Sequence, residues 1–375
     1  MRLSPRLAAA LLCLTLTACG DGARPGPTAV GTGPSPGAPA PAPGSSPADQ
    51  TPQVLATGLE APWGLAFLPS GEALLSERDS ARVLRLPAAG GTPVEVARVA
   101  EARPAGEGGL LRLAVSPSYA TDGWVYAYVT TTDDNRIVRF HLPEAGGPAD
   151  TEPVLAGLPK GNIHNGGRLA FGPDGSLYAG TGDIGDTALA QDPGSLGGKV
   201  LRMTPAGRPV PGASSLVFSA GHRNVQGLAF DAAGRLYASE FGQNRFDEVN
   251  QVREGDNGGW PAVEGPGDGG GRFAVPITTW ATSEASPSGV AVAGPAGGQS
   301  LYVTALRGQR LWRVPLDPEG GAGRPEALLQ GRYGRLRAAV TAPDGALWLL
   351  TSNRDGRGDP GSQDDRVLRL AVPQA

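Results

Sequence analysis

Cysteine is almost absent from this chain. Cys13 and Cys19 are the only two among 375 residues, so no disulfide staples the bulk of the sequence, and stability has to come from a large core. Histidine is scarce as well, with three, which leaves few side chains able to exchange a proton near neutral pH. There is no basic run, and the formal net charge is −4; together these argue against nucleic acid as a partner. Beyond the N-terminus no apolar stretch approaches the length of about eighteen residues that a membrane-spanning helix requires. Helical periodicity is nearly missing too.

What fills the chain instead is glycine (58) and proline (36). Much of it sits near the N-terminus. Arg2 and Arg6 precede an apolar run over residues 7–16 that is too short to span a bilayer. That run ends in Leu16-Thr17-Ala18-Cys19-Gly20, which resembles a bacterial lipoprotein cleavage box. Residues 1–18 are expected to be a removed signal peptide, with Cys19 carrying the lipid. An ordinary secretory signal with an incidental cysteine is the alternative. Residues 19–51, rich in Pro, Gly, Ala and Ser, cannot bury enough apolar surface to offset their chain entropy and read as a flexible linker. The folded domain is expected over residues 52–375, on the envelope of a bacterial cell, reaching a membrane only through the anchor.

From about Gln53 the chain repeats loosely. An apolar triplet, a turn with Pro, Asp or Gly, and a short alternating strand recur, as in Leu169-Ala170-Phe171-Gly172-Pro173-Asp174-Gly175-Ser176-Leu177-Tyr178. Six copies occur at intervals of roughly 48 to 62 residues, the span of a propeller blade. This predicts an all-β, six-bladed β-propeller, and the period argues against a β-sandwich or β-helix. Val367-Leu368-Arg369-Leu370 is expected to share a blade with the segment near Val54-Leu55, tying the chain ends together.

Candidate chemistry sits in the loops. His164 lies in Asn162-Ile163-His164-Asn165-Gly166-Gly167-Arg168, and Asp183 follows nineteen residues later. If 169–171 and 177–180 form a hairpin, both fall at one end of it, where the carboxylate would fix the imidazole tautomer; on spacing alone a purely structural histidine is the commoner outcome. Arg223, in Gly221-His222-Arg223-Asn224, offers a planar fork for carboxylates, quinone oxygens or developing negative charge, or else a surface salt bridge. Arg335 and Arg337 alternate on one strand and share a face. Two adjacent guanidiniums repel unless an anion lies between them, so a carboxylate-rich ligand or simple solvation is implied. Asp247-Glu248 lies in a glycine-rich region whose oxygen donors would suit Ca²⁺ rather than Zn²⁺. Asp364-Asp365 reads as a solvated turn.

The ordered motifs Ala61-Pro62-Trp63-Gly64-Leu65-Ala66-Phe67, Glu107-Gly108-Gly109-Leu110-Leu111, His164-Asn165-Gly166-Gly167-Arg168-Leu169, Gly221-His222-Arg223-Asn224-Val225-Gln226-Gly227-Leu228, Asp247-Glu248-Val249-Asn250 and Asn257-Gly258-Gly259-Trp260-Pro261 resemble the glucose/sorbosone dehydrogenase family. The likeness is greater to its aldose sugar dehydrogenase branch. The resemblance implies pyrroloquinoline quinone (PQQ) over the propeller axis with Ca²⁺ below it, and oxidation of an aldose at its anomeric hydroxyl to a lactone. An electron acceptor of unknown identity completes the cycle. It further implies His164 as general base, Asp183 as its orienting carboxylate and Arg223 beside the reactive carbonyl. Asn224, Arg335 and Arg337 match cofactor-binding positions. Gly242 and Gln243 match carbonyl ligands of the catalytic Ca²⁺, and Asp247 and Glu248 match ligands of a separate structural Ca²⁺.

Three departures accompany the match. Arg307 stands where glucose-specific relatives carry lysine, and Glu107 where they carry glutamine. The loop after Asp183 is short, leaving Gln191 as the candidate for a cofactor-contacting glutamine. Two other functions suit the same scaffold: a Ca²⁺-dependent lactone hydrolase and a non-catalytic envelope propeller that binds glycans or a protein. Three cations at Arg307, Arg335 and Arg337 fit a small neutral lactone poorly.

Overall fold

Each apolar triplet of the repeat becomes the innermost strand of a four-stranded antiparallel sheet. In the computed structural model, which describes residues 51–372, 24 strands form six such sheets. Cys19, the signal region and nearly all of the linker lie outside the described residues. The innermost strands are Pro62–Phe67, Leu110–Val115, Arg168–Phe171, Val225–Phe230, Pro287–Ala293 and Leu336–Thr341, which define the first to sixth blades in order. Consecutive innermost strands pack against one another, and the sixth returns to the first, closing a six-bladed propeller.

Six apolar clusters occupy the interfaces between neighbouring blades. Leu74, Val83, Leu113 and Val138 join the first and second, for example, and Leu65, Leu75, Ala338 and Trp348 join the first and sixth. Alternation of side chains across each strand lets one sheet feed two such clusters. Close approach of the inner strands is secured by a repeated device. Gly64, paired with Ser76, leaves room for that hydroxyl to bond the carbonyl of Leu111 in the next blade. Gly227, paired with Ser239, does the same towards the carbonyl of Ser288.

Strand Gln53–Ala56 pairs antiparallel with Val367–Leu370, Val54 opposite Leu368, so the chain ends close the ring within one blade as expected. One expectation fails nearby. Asp364 and Asp365 are 4% and 0% exposed rather than solvated. Asp365 exchanges backbone hydrogen bonds with Leu59 at 3.0 and 3.1 Å, and its carboxylate accepts from Thr351 and from the peptide N–H groups of Asn353 and Arg354. The pair is buried because the closure itself covers it.

Candidate active site

The loops that enter the innermost strands share one end of the propeller. Glu107 precedes Leu110–Val115, His164 precedes Arg168–Phe171, Arg223 and Asn224 precede Val225–Phe230, and Arg335 opens Leu336–Thr341. The turns between second and third strands rise at the same end and carry Asp183, Gly242, Gln243 and Arg307. Propeller topology therefore gathers residues from five blades that are far apart in sequence.

His164 Nδ1 lies 2.7 Å from Asp183 Oδ1. Asp183 is fully buried, and its carboxylate also accepts from Trp260 Nε1 at 2.9 Å and from the Gly185 peptide at 2.9 Å. Burial raises its pKa, but the His164 bond and these two donors outweigh burial and hold it below the ordinary carboxylate range. An anionic Asp183 fixes the hydrogen on Nδ1, leaving Nε2 as the acceptor. Nε2 meets no partner among the described residues, and the side chain keeps 12% exposure. The backbone is strained to achieve this: His164 and Ile184 both have φ of 54°, in the left-handed region. Gly182 is obligatory, since a Cβ there would stand 1.8 Å from the His164 carbonyl.

Glu107 ties this pair to a neighbouring cavity. Its carboxylate accepts the His164 peptide N–H at 2.9 Å and pairs with Arg357 at 2.7 Å. Burial raises its pKa, yet these partners overcome that and keep Glu107 ionised below its usual range. The cavity, of about 180 Å³, is lined by Trp63, Gln226 and Phe241, by Glu107 and Asp355, and by Arg78, Arg307, Arg335, Arg337 and Arg357 among others. The anion expected between Arg335 and Arg337 is supplied by the chain itself. Asp355 Oδ2 accepts from them at 2.9 and 3.2 Å. Arg337 nevertheless keeps Nε buried without a partner, and burial pushes its pKa down to about 10.

Arg223 is not among the residues lining that cavity, but it contacts Asp183 on one side and Phe241 on the other. Its backbone carbonyl accepts from the Asp183 peptide at 2.8 Å, its guanidinium donates to the Phe241 carbonyl at 3.2 Å, and it lies 5.5 Å from the Trp260 ring centroid. Nε of Arg223 and Nδ2 of Asn224 are buried and unpartnered, while Asn224 Oδ1 accepts the Gly166 N–H at 3.0 Å. In the 242–246 turn, four consecutive peptide N–H groups from Gln243 to Phe246 converge on Glu264 Oε1. The carbonyls of Gly242 and Gln243 accept nothing from the described residues. Asp247 and Glu248, adjacent on one strand, face opposite ways. Asp247 accepts from the Gly242 and Ser286 peptides; Glu248 accepts from the Gly265 peptide and Asn250. The two carboxylates do not converge on one cation, and among the described residues no group of three or more His, Asp or Glu side chains is arranged to hold a metal.

The sequence model described as Glucose / Sorbosone dehydrogenase matches residues 59–362. This chain belongs to that family. An aldose sugar dehydrogenase from Streptomyces coelicolor, whose solved structure is titled as the PQQ-bound form, is 54% identical, with a TM-score of 0.80 over 84% of this chain and 96% of that one. Aldose sugar dehydrogenase YliI of Escherichia coli is 29% identical over 83% of this chain and 92% of its own length. Quinoprotein glucose dehydrogenase B of Acinetobacter calcoaceticus is 32% identical over 58% of this chain and 54% of its own.

Several residues of this family member's site escaped sequence reasoning. Asp355, Arg357, Arg78 and Phe241 lie in loops whose composition carries no signal, and only the fold brings them to the cavity. Gln191 does not line it. Its amide bonds Asn257 reciprocally and the Trp260 carbonyl at 2.7 Å, so it braces the indole that supports Asp183.

Proposed function

We propose that this protein oxidises an aldose at the anomeric hydroxyl to a lactone, with PQQ in the arginine-lined cavity and Ca²⁺ at the carbonyls of Gly242 and Gln243. The observation that carries this reading is the charge of the cavity, whose Glu107 also holds the peptide of His164, the histidine with an open ring nitrogen. Five guanidiniums against two carboxylates leave an excess of three positive charges, which complements a planar tricarboxylate. Trp63 also lines the cavity. The two uncommitted carbonyls are hard oxygen donors of the kind Ca²⁺ takes.

When bound, PQQ would supply the hydride acceptor, a role that no side chain can fill. The chain's own residues do the rest. His164 Nε2 removes the hydroxyl proton, and Asp183 holds the tautomer and stabilises the imidazolium that forms. Trp260 and Gly185 keep Asp183 anionic and in place. Arg223, with an unpaired Nε in a partly desolvated position, offers fixed positive charge where oxygen becomes negative. Asn224 holds the His164 loop through Gly166. Arg335, Arg337 and Arg307 would hold the carboxylates of PQQ, while the Glu107–Arg357 pair neutralises the added acid at the rim.

Apo-protein loaded with PQQ and Ca²⁺ and assayed on an aldose panel with an artificial electron acceptor tests the reading. Lactone formation with retained quinone absorbance is expected. No turnover on any aldose and no retained quinone would overturn it in favour of a lactone hydrolase or a binding propeller. The Leu16-Thr17-Ala18-Cys19-Gly20 box supports placing the enzyme on a bacterial envelope through lipid on Cys19; Cys19→Ala should move it from the membrane to the soluble fraction.

A further inference from the structure

The innermost strands share one position that most blades keep small. It is Gly64, Gly227 and Gly289 in the first, fourth and fifth blades and Ala338 in the sixth. A Cβ on Gly64, Gly227 or Gly289 would come to 2.9, 2.6 or 2.7 Å from the backbone of the next inner strand. The second and third blades carry Arg112 and Arg168 at this position, by the same alignment of strand pairs. Arg168 is 3% exposed; its Nε donates to the Gln226 carbonyl, its guanidinium carbon lies 4.6 Å from the Trp63 ring centroid, and its Nη2 is buried with no partner. Arg112 has Nε and Nη1 buried with no partner. Arg337, 6% exposed, lies 5.8 Å from the same Trp63 centroid and contributes its own orphaned Nε.

Arg168 and Arg337 thus both lie over the Trp63 ring, and with Arg112, at the equivalent position of the neighbouring inner strand, they leave four unsatisfied nitrogens. Among the described residues the one carboxylate bonded to any of them is Asp355, which accepts from Arg337 and also from Arg335. Burial pushes Arg112 down to about 10 with no acid opposing it, and Arg168 falls well below its usual value through burial and the nearby charges of Arg112 and Arg337. Arginine does not readily shed its proton, so a buried cluster of this kind calls for a counter-ion. The occupant of the arginine-lined cavity could reach Arg337 but does not meet the need of the other two, because neither Arg112 nor Arg168 lines the cavity. Water could accept the N–H groups but would leave the charge uncompensated. A carboxylate or phosphate prefers the paired fork of one guanidinium, whereas these orphan nitrogens come singly or in twos from three side chains.

We propose that the propeller axis holds a small monovalent inorganic anion of the halide class between Arg112, Arg168 and Arg337. This site is structural and does not depend on the redox reading. Full-length apo-protein, free of quinone, is melted at constant ionic strength while methanesulfonate is replaced by chloride or bromide. Binding to the native state alone raises the melting temperature by about 2–4 °C for each tenfold excess over the dissociation constant. Arg112→Met should lose that dependence. Crystals grown in bromide should show an anomalous peak in contact with Arg112 and Arg168. No peak there, or a halide-dependent rise that persists in folded Arg112→Met, overturns the proposal. If Arg112→Met does not fold, the presence or absence of the bromide peak decides.

Discussion

Two histidines in this protein make the same bond and differ in what they can do. His164 Nδ1 meets Asp183 at 2.7 Å, and His222 Nδ1 meets Glu240 at 2.7 Å. Both carboxylates are buried, and both histidines sit in the loop entering an innermost strand. The difference is at the other nitrogen. His222 Nε2 is closed by Ser219 Oγ at 2.8 Å, and the side chain is 2% exposed. His164 Nε2 has no partner among the described residues, and the side chain is 12% exposed. The Ser219–His222–Glu240 array has the bonding of a nucleophilic triad, yet it is sealed: Glu240 also accepts from Asn250 and from the Arg223 peptide. A carboxylate-bound imidazole is therefore not sufficient for a base. The open second nitrogen is what would let His164 act as a base where His222 cannot.

The largest expected effect lies in His164→Ala. Steady-state turnover of the PQQ-loaded enzyme should fall by about 10²–10⁴-fold, the worth of general-base catalysis, while quinone binding measured by absorbance stays within a few-fold. Retention of the wild-type rate would remove His164 from the role. His222→Ala should invert that pattern. Leaving Glu240 and Ser219 buried and short of a partner should cost about 1–3 kcal/mol in urea unfolding, with turnover of the loaded enzyme changing less than tenfold. A catalytic collapse without loss of stability would erase the distinction between the two histidines.

Trp260→Phe sharpens the comparison more gently by removing one donor to Asp183. A carboxyl whose native pKa is depressed contributes stability that is present above its unfolded value and lost as pH falls through the native value. Weakening that depression should move the acid-unfolding midpoint to higher pH, with a loss near 1 kcal/mol at neutral pH. An unchanged midpoint would mean the indole does not support Asp183. Gln191→Ala, one step further out, should cost no more than about 1 kcal/mol in denaturant unfolding and change kcat/KM only a few-fold. A larger catalytic loss would place Gln191 at the cofactor after all.

Much of this was legible in the sequence because the propeller is periodic. The triplet-turn-strand unit marks every innermost strand, and the His164–Asp183 pairing follows once 168–171 and 177–180 form one hairpin. The fate of isolated charges was not legible. Arg335 and Arg337 share a face as alternation requires, but that the anion between them is Asp355, and not only a ligand, depends on how residues 352–366 cross back over the cavity. Asp364-Asp365 has the composition of an exposed turn, and it is buried because the chain ends meet there. Asp247-Glu248 reads as one acidic site, and the strand turns its two members apart.

The sequence by itself determined the repeat, the number of blades and the end of the propeller at which the polar loops gather, because local strand and turn preferences act within a few residues and recur at a fixed interval. Tertiary structure alone decided which polar groups are left unpaired: the His164 Nε2, the Arg337 Nε and the arginines of the axis. Burial and partnership are properties of contacts between blades. Those contacts join residues far apart in sequence, as in the Arg78–Asp355 bond across 277 positions, and no local pattern encodes them.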